Sequence, residues 1–125
     1  MSHPADNKYT KSHEFIKPLD GNRAKVGITF HAQSELGDIT FVELPEIGAE
    51  YKKGDPFSVV ESVKAVSDIF MPVDCKIAEV NSALEDSPEL INADPYEKGW
   101  LVEIVLVNPS QLDSLLSKEE YENEL

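Results

Sequence analysis

Basic residues are scarce. Eleven Lys and Arg stand against 24 Asp and Glu in 125 residues, a formal charge of −13 at pH 7. A chain without clustered Lys and Arg is a poor ligand for nucleic-acid phosphates and for anionic lipid. Neither nucleic acid nor a membrane is expected as a partner. There is one cysteine, Cys75, which excludes an intramolecular disulfide and any multi-cysteine metal site. No apolar run approaches the roughly 18 residues of a membrane span. The opening stretch, MSHPADNKYTKSHEF, has no apolar signal-peptide segment, and no arginine precedes Arg23. Neither a secretory signal nor a transit peptide is expected, and a bacterial-type cytoplasmic location is. What charge there is sits unevenly: residues 1–60 carry a net −2 and residues 61–125 a net −11. Such a surface keeps a chain soluble and steers it toward basic partners. Apolar residues still make up 41% of the chain, enough for the core of one domain over 1–125.

The pattern is one of short apolar segments cut by turn signals. Residues 1–12 are polar and expected to be loose as far as Tyr9. Glu14–Lys17 and Ala24–Ile28 read as strands around an Asp20-Gly21-Asn22 turn. Thr29 is placed to cap a short helix through Leu36, with Gly37 as its stop. Asp38–Leu44 is a strand, residues 45–55 a loop, and Phe57–Val63 and Val66–Met71 two more strands. Lys76–Val80 and Trp100–Val107 follow on either side of a long connection, 81–99. Asn108-Pro109 is a helix start, Ser117–Glu120 a capping box, and the spacing predicts helix over 109–124. Short strands at regular intervals predict a mainly β fold, an antiparallel sandwich or flattened barrel with short helices, including C-terminal ones.

Most catalytic constellations are missing. There is no GxxxxGK[ST], GxGxxG or GxSxG segment. His3, His13 and His31 read as scattered surface histidines, so no metal centre is expected. No carboxylate pair has a spacing that marks a glycosidase, and nothing supports a small hydrolase, so no catalytic residue is assigned. What stands out is Val59-Val60-Glu61-Ser62-Val63-Lys64-Ala65-Val66-Ser67-Asp68-Ile69, two β segments meeting at Lys64-Ala65. With those two as the turn, Glu61 falls opposite Asp68 and Val63 opposite Val66. Like charges so opposed destabilise a sheet by up to about 1 kcal/mol. Lys-Ala is poor turn chemistry, because favoured two-residue hairpins use Gly, Asn and Asp. Lys64 is either a solvated loop residue or an amine held out, in fixed direction, to a modifying enzyme.

These residues resemble a known family. Ser12-His13-Glu14, Val26-Gly27-Ile28-Thr29, Leu36-Gly37-Asp38, Phe41-Val42-Glu43-Leu44-Pro45, Glu61-Ser62-Val63-Lys64-Ala65, Leu90-Ile91-Asn92, Pro95-Tyr96 and Gly99-Trp100-Leu101 match, in order and spacing, the glycine cleavage H-protein family of lipoate-bearing carriers. The resemblance implies a two-sheet lipoyl/biotin-carrier sandwich (a barrel-sandwich hybrid) with its lipoyl-binding core at 23–106. It implies lipoic acid in amide linkage on Lys64, with Glu61 helping the lipoylating enzyme to recognise the tip. It implies a non-enzymatic carrier. The arm would take the aminomethyl group of glycine from a pyridoxal-phosphate glycine decarboxylase (the P protein) to a tetrahydrofolate-dependent aminomethyltransferase (the T protein). Dihydrolipoamide dehydrogenase (the L protein) would then reoxidise it. Ser12, His13, Glu14 and Asp68 match positions expected to line a cleft that shelters the loaded arm. A lipoyl relay to 2-oxoacid dehydrogenase subunits is the alternative. Biotin carriers usually show Met-Lys-Met, which Val63-Lys64-Ala65 lacks. Two positions depart from the family. Phe15 replaces a usual Trp. Cys75 stands where the family has Gly, and a side chain there costs about 1 kcal/mol if φ is positive.

Overall fold

The computed structural model describes residues 3–125. Two antiparallel sheets make up the fold. One holds β1 (Lys8–Tyr9), β2 (Glu14–Pro18), β3 (Arg23–Ile28), β5 (Glu50–Tyr51), β8 (Cys75–Val80) and β9 (Val102–Leu106), in the order β1-β2-β3-β9-β8-β5. The other is β4 (Ile39–Glu43), β6 (Pro56–Ser62) and β7 (Val66–Phe70), with β6 in the middle. Alternation along the strands turns Ile16, Val26, Ile77 and Ile104 of the first sheet and Ile39, Val42, Val60 and Ile69 of the second into one buried cluster. Phe41, Val66 and Phe70 stay on the solvent side of the smaller sheet. A second, aromatic cluster of Tyr9, Phe15, Tyr96 and Tyr121 joins the chain's two ends.

The short helix after β3 forms for the reason its sequence gives. Thr29 Oγ1 accepts from the Ala32 N–H, and α1 (Phe30–Leu36) stops at Gly37, where φ is +78°. Elsewhere tertiary contacts override local pattern. The 45–55 loop contains β5, which borrows its partner from β8. The 81–99 connection contains α2 (Ala83–Asp86) and α3 (Leu90–Ala93), each a single turn burying one apolar side chain, Leu84 or Ile91. Residues 109–124 are not one helix. A 3₁₀ turn, Pro109–Ser114, ends at Leu115, whose backbone is extended. Leu116 exchanges two backbone hydrogen bonds with Tyr9, at 2.8 and 2.9 Å, before α4 (Lys118–Asn123) starts on the Ser117–Glu120 capping box. Pairing with Tyr9 gives both backbone polar groups of Leu116 a partner outside any helix. The N-terminal segment is not loose from residue 3 onward: His3 and Asn7 are buried.

The hairpin at Lys64 departs from the expected register by two residues. Glu61 pairs with Val66, Val60 with Ser67 and Val59 with Asp68. Glu61 and Asp68 are therefore not directly opposite, and the expected like-charge pairing is absent. The tip is Ser62–Ala65. The Ser62 N–H donates to the Ala65 carbonyl at 2.8 Å, and Ser62 Oγ accepts the N–H groups of Lys64 and Ala65 at 3.2 and 3.1 Å. A two-residue turn would need positive φ in its centre. The hydroxyl supports a wider turn without it: outside glycine, the described residues show positive φ at His13 alone.

Candidate functional site

Lys64 sits exposed at the hairpin tip, flanked by Val63 and Ala65, which are also exposed. Its stem lies over the end of α1. A Cβ built on Gly37 would be 3.4 Å from Lys64 Cε, 3.7 Å from its Cδ and 3.8 Å from Val63 Cγ2. Gly37 has φ +78° and ψ −154°, a region only glycine occupies readily. The Val63 N–H donates to the Asp38 carbonyl at 3.1 Å and so ties the tip to the same segment.

Next to this seat lies a cleft of about 210 Å³. Ser12 and His13 line one side of it, Ala32, Glu35 and Leu36 of α1 another, and Ser67 and Asp68 of β7 a third. Leu36, which lines the cleft, immediately precedes Gly37, over which the lysine stem lies. Of the four residues expected here, Ser12, His13 and Asp68 reach the space. Glu14 does not line it. It is 2% exposed and meets the cleft through Ser12, whose hydroxyl donates to Glu14 Oε1 at 2.6 Å. Thr10 Oγ1 donates to the same oxygen at 2.5 Å, and the Phe70 N–H points at Oε2 from 3.5 Å. Burial pushes the Glu14 carboxyl above the usual carboxylate range, and these donors offset only part of that. Glu61 lies on the outer face of the smaller sheet, between Phe41 and Val66 and outside the cleft.

The histidines are not scattered. The His13 ring centroid is 4.6 Å from that of His31. His13 Nδ1 is 2.7 Å from the Tyr121 hydroxyl, which in turn is 2.8 Å from Thr29 Oγ1. His3 packs edge-on against Tyr121 at 5.1 Å. His31 Nε2 contacts Glu35 Oε1 at 2.6 Å, the i,i+4 pair that α1 places on one face. Burial, and then the neighbouring His31, hold His13 below the ordinary histidine range. Long sequence separation hid this grouping, although the His31–Glu35 spacing was visible. Among the described residues no three His, Cys, Asp or Glu side chains gather as a metal site would need.

Cys75 opens β8 inside the core at 1% exposure, and its φ is not positive. The expected strain is therefore absent. Burial, with Asp74 beside it, pushes its thiol up to about 12, which makes it inert as a nucleophile.

A small two-sheet sandwich that holds one lysine out on a hairpin beside a cleft is a carrier domain of the lipoyl type. The match to known proteins is specific. Residues 7–125 fit the family described as glycine cleavage H-protein. The chain is 55% identical over 119 residues to a glycine cleavage system H protein of Symbiobacterium thermophilum, covering 95% of this chain and 92% of that one. It is 53% identical over 121 residues to that of Staphylococcus haemolyticus, covering 97% and 95%. A crystal structure of a glycine cleavage system H protein from Mycobacterium marinum superposes with a TM-score of 0.83 at 38% identity, over 98% of this chain and 100% of that one. The chain belongs to the glycine cleavage H-protein family.

Proposed function

We propose that this chain is the lipoyl carrier of a glycine cleavage system, and that Lys64 bears lipoic acid in amide linkage. The observation that carries the reading is the exposed lysine on a tip fixed by Ser62, its stem lying over the Gly37 turn, whose positive φ favours glycine. When bound, the lipoyl group supplies a dithiolane that accepts and releases an aminomethyl cargo and is reoxidised between turns. The chain's own residues hold that arm and shelter it. Ser12, His13, Ala32 and Leu36 form a cleft that excludes water from a cargo prone to hydrolysis. Asp68 faces the same space, and Glu14, behind Ser12, adds a carboxylate of low exposure. Asp68, which lines the space, favours a cationic cargo directly, whereas Glu14 acts on it only through the Ser12 hydroxyl that it holds.

The work of reaction lies with partners. They are the glycine decarboxylase that loads the arm, the aminomethyltransferase that unloads it, the dihydrolipoamide dehydrogenase that reoxidises it, and the enzyme that attaches lipoate, for which Glu61 is a recognition residue. The net −11 of residues 61–125 suits brief encounters with basic faces. Intact mass of protein produced with lipoate, followed by peptide mapping, tests the assignment. One lipoyl increment on the Lys64 peptide is expected. Lys64→Arg should fold, take no lipoate and support no glycine–bicarbonate exchange with the other components. Residual exchange in that variant would remove the basis of the reading.

A further inference from the structure

We infer that Asn92, on α3 and not bonded to the lysine, is a positioning residue that fixes the seat of the Lys64 arm. The inference rests on Lys64 being the acylated residue. Asn92 uses its amide on both sides of the Gly37 turn. Its Nδ2 donates to the Gly37 carbonyl at 2.8 Å and to Gln33 Oε1 at 2.9 Å, and its Oδ1 accepts the Ile39 N–H at 2.9 Å. Residues 37 and 39 are thus held from below, with Asp38 between them. Asp38 accepts the Val63 N–H, and Gly37 underlies Lys64 Cε and Cδ. A continuous path runs from the Asn92 amide through residues 37–39 to the Val63 backbone and to the outer part of the lysine side chain.

The other end of that path is firm. The Gly99 N–H donates to the Asp94 carbonyl at 2.8 Å, and a Cβ on Gly99 would come within 2.8 Å of Ile91 Cα and 2.9 Å of the Asp94 oxygen. α3 is therefore pressed onto the chain entering β9, and Asn81 Nδ2 bonds the Lys98 and Trp100 carbonyls on either side of Gly99. Without the Asn92 bonds, a left-handed glycine turn has wide conformational freedom. The Asn92 bonds add to the Gly37 N–H bond to the Gln33 carbonyl at 2.9 Å in fixing the surface over which the stem of Lys64 lies. Both amide protons of Asn92 are used, so aspartate, its isostere, loses two donors and sets a carboxylate against two acceptor oxygens.

The test compares Asn92→Asp and the milder Asn92→Ser with the parent, all as full-length unmodified chains. Two readouts are taken: amide hydrogen exchange at Val63, and acylation of Lys64 by a lipoate ligase supplied with lipoyl-adenylate. Positioning predicts that exchange at Val63 rises about tenfold while Val60 and Val102 keep the parent rate. It also predicts that kcat/KM for acylation falls about tenfold or more, as for a slightly misplaced reacting group. The inference is overturned if Val63 exchange and acylation stay within twofold of the parent, or if exchange rises uniformly with lowered thermal stability. Should Asn92→Asp not fold, Asn92→Ser decides between these outcomes. Failure of the parent itself to be acylated at Lys64 would overturn both the carrier reading and the inference, whereas parent-like acylation in the variants would overturn the inference alone.

Discussion

His13 and Tyr121, 108 positions apart in sequence, meet at 2.7 Å between Nδ1 and the phenolic oxygen. Through this contact the C-terminal helix holds a wall of the cleft, because the same hydroxyl also reaches Thr29, the cap of α1. Tyr121→Phe keeps the ring stacked on Tyr9 at 4.9 Å but removes the shared hydroxyl. Urea unfolding should show a loss of about 1–2 kcal/mol, the cost of leaving buried partners unmet. A variant as stable as the parent would show that the C-terminal contact is not a clamp.

Glu14 gives a pH signature. Its folded-state carboxyl is held above the usual range, so the native state binds its proton more tightly than the unfolded chain. Stability should therefore fall as pH rises from about 4.3 through the raised folded value. Glu14→Gln should remove that decline, and urea midpoints at a series of pH values for parent and variant will read it as a difference. Glu14→Ala should also hasten loss of cargo from the isolated loaded protein. A decay rate equal to the parent's would show that Glu14 does not protect.

His13 works in the opposite sense. Its folded value lies below the ordinary one, so unfolding takes up a proton. Stability from this group is complete above about pH 6.5 and declines as pH falls from there to the depressed folded value. Asparagine tolerates the left-handed backbone that His13 adopts at φ +71°. His13→Asn should therefore keep the loop and shrink the acid-side loss, as measured by thermal melts between pH 5 and 7.5. An unchanged acid slope would assign that loss to other groups.

Cys75 should stay silent toward aromatic disulfide reagents in the native protein and react only as the chain unfolds, because its thiol is buried and held up at about 12. Cys75→Ala leaves a small void, at a cost of about 1–2 kcal/mol. Rapid labelling without denaturant would show that β8 opens locally.

Gly37→Ala puts a methyl group 3.4 Å from Lys64 Cε, in a backbone region that costs about 1–3 kcal/mol for other residues. Lower stability together with slower lipoylation of Lys64 is expected, followed by urea titration and by mass. Lipoylation at the parent rate would show that the seat does not guide the lysine.

The elements that rest on local chemistry were legible in the chain. Thr29 and Gly37 bound α1, Ser117 and Glu120 box α4, and alternating apolar residues set most strands and the lysine between two of them. Ser12, His13 and Asp68 were nameable as a group through resemblance, and folding brings them to one cleft. Three features were out of reach. The hairpin register turned on one serine hydroxyl accepting two N–H groups, which outweighs a count of residues from the turn. The break at Leu115 came from Tyr9, a partner over a hundred residues away, since a backbone group takes whichever bond the fold offers. The gathering of His13, His31 and Tyr121, and of Asn92 beneath Gly37, depends on how sheets and single-turn helices pack. Sequence alone determined the longer strands, the caps and the lysine between two β segments, because these follow from neighbours a few residues apart. Only the tertiary structure decided what surrounds that lysine, because contacts between distant residues are set by how the two sheets close on a shared core.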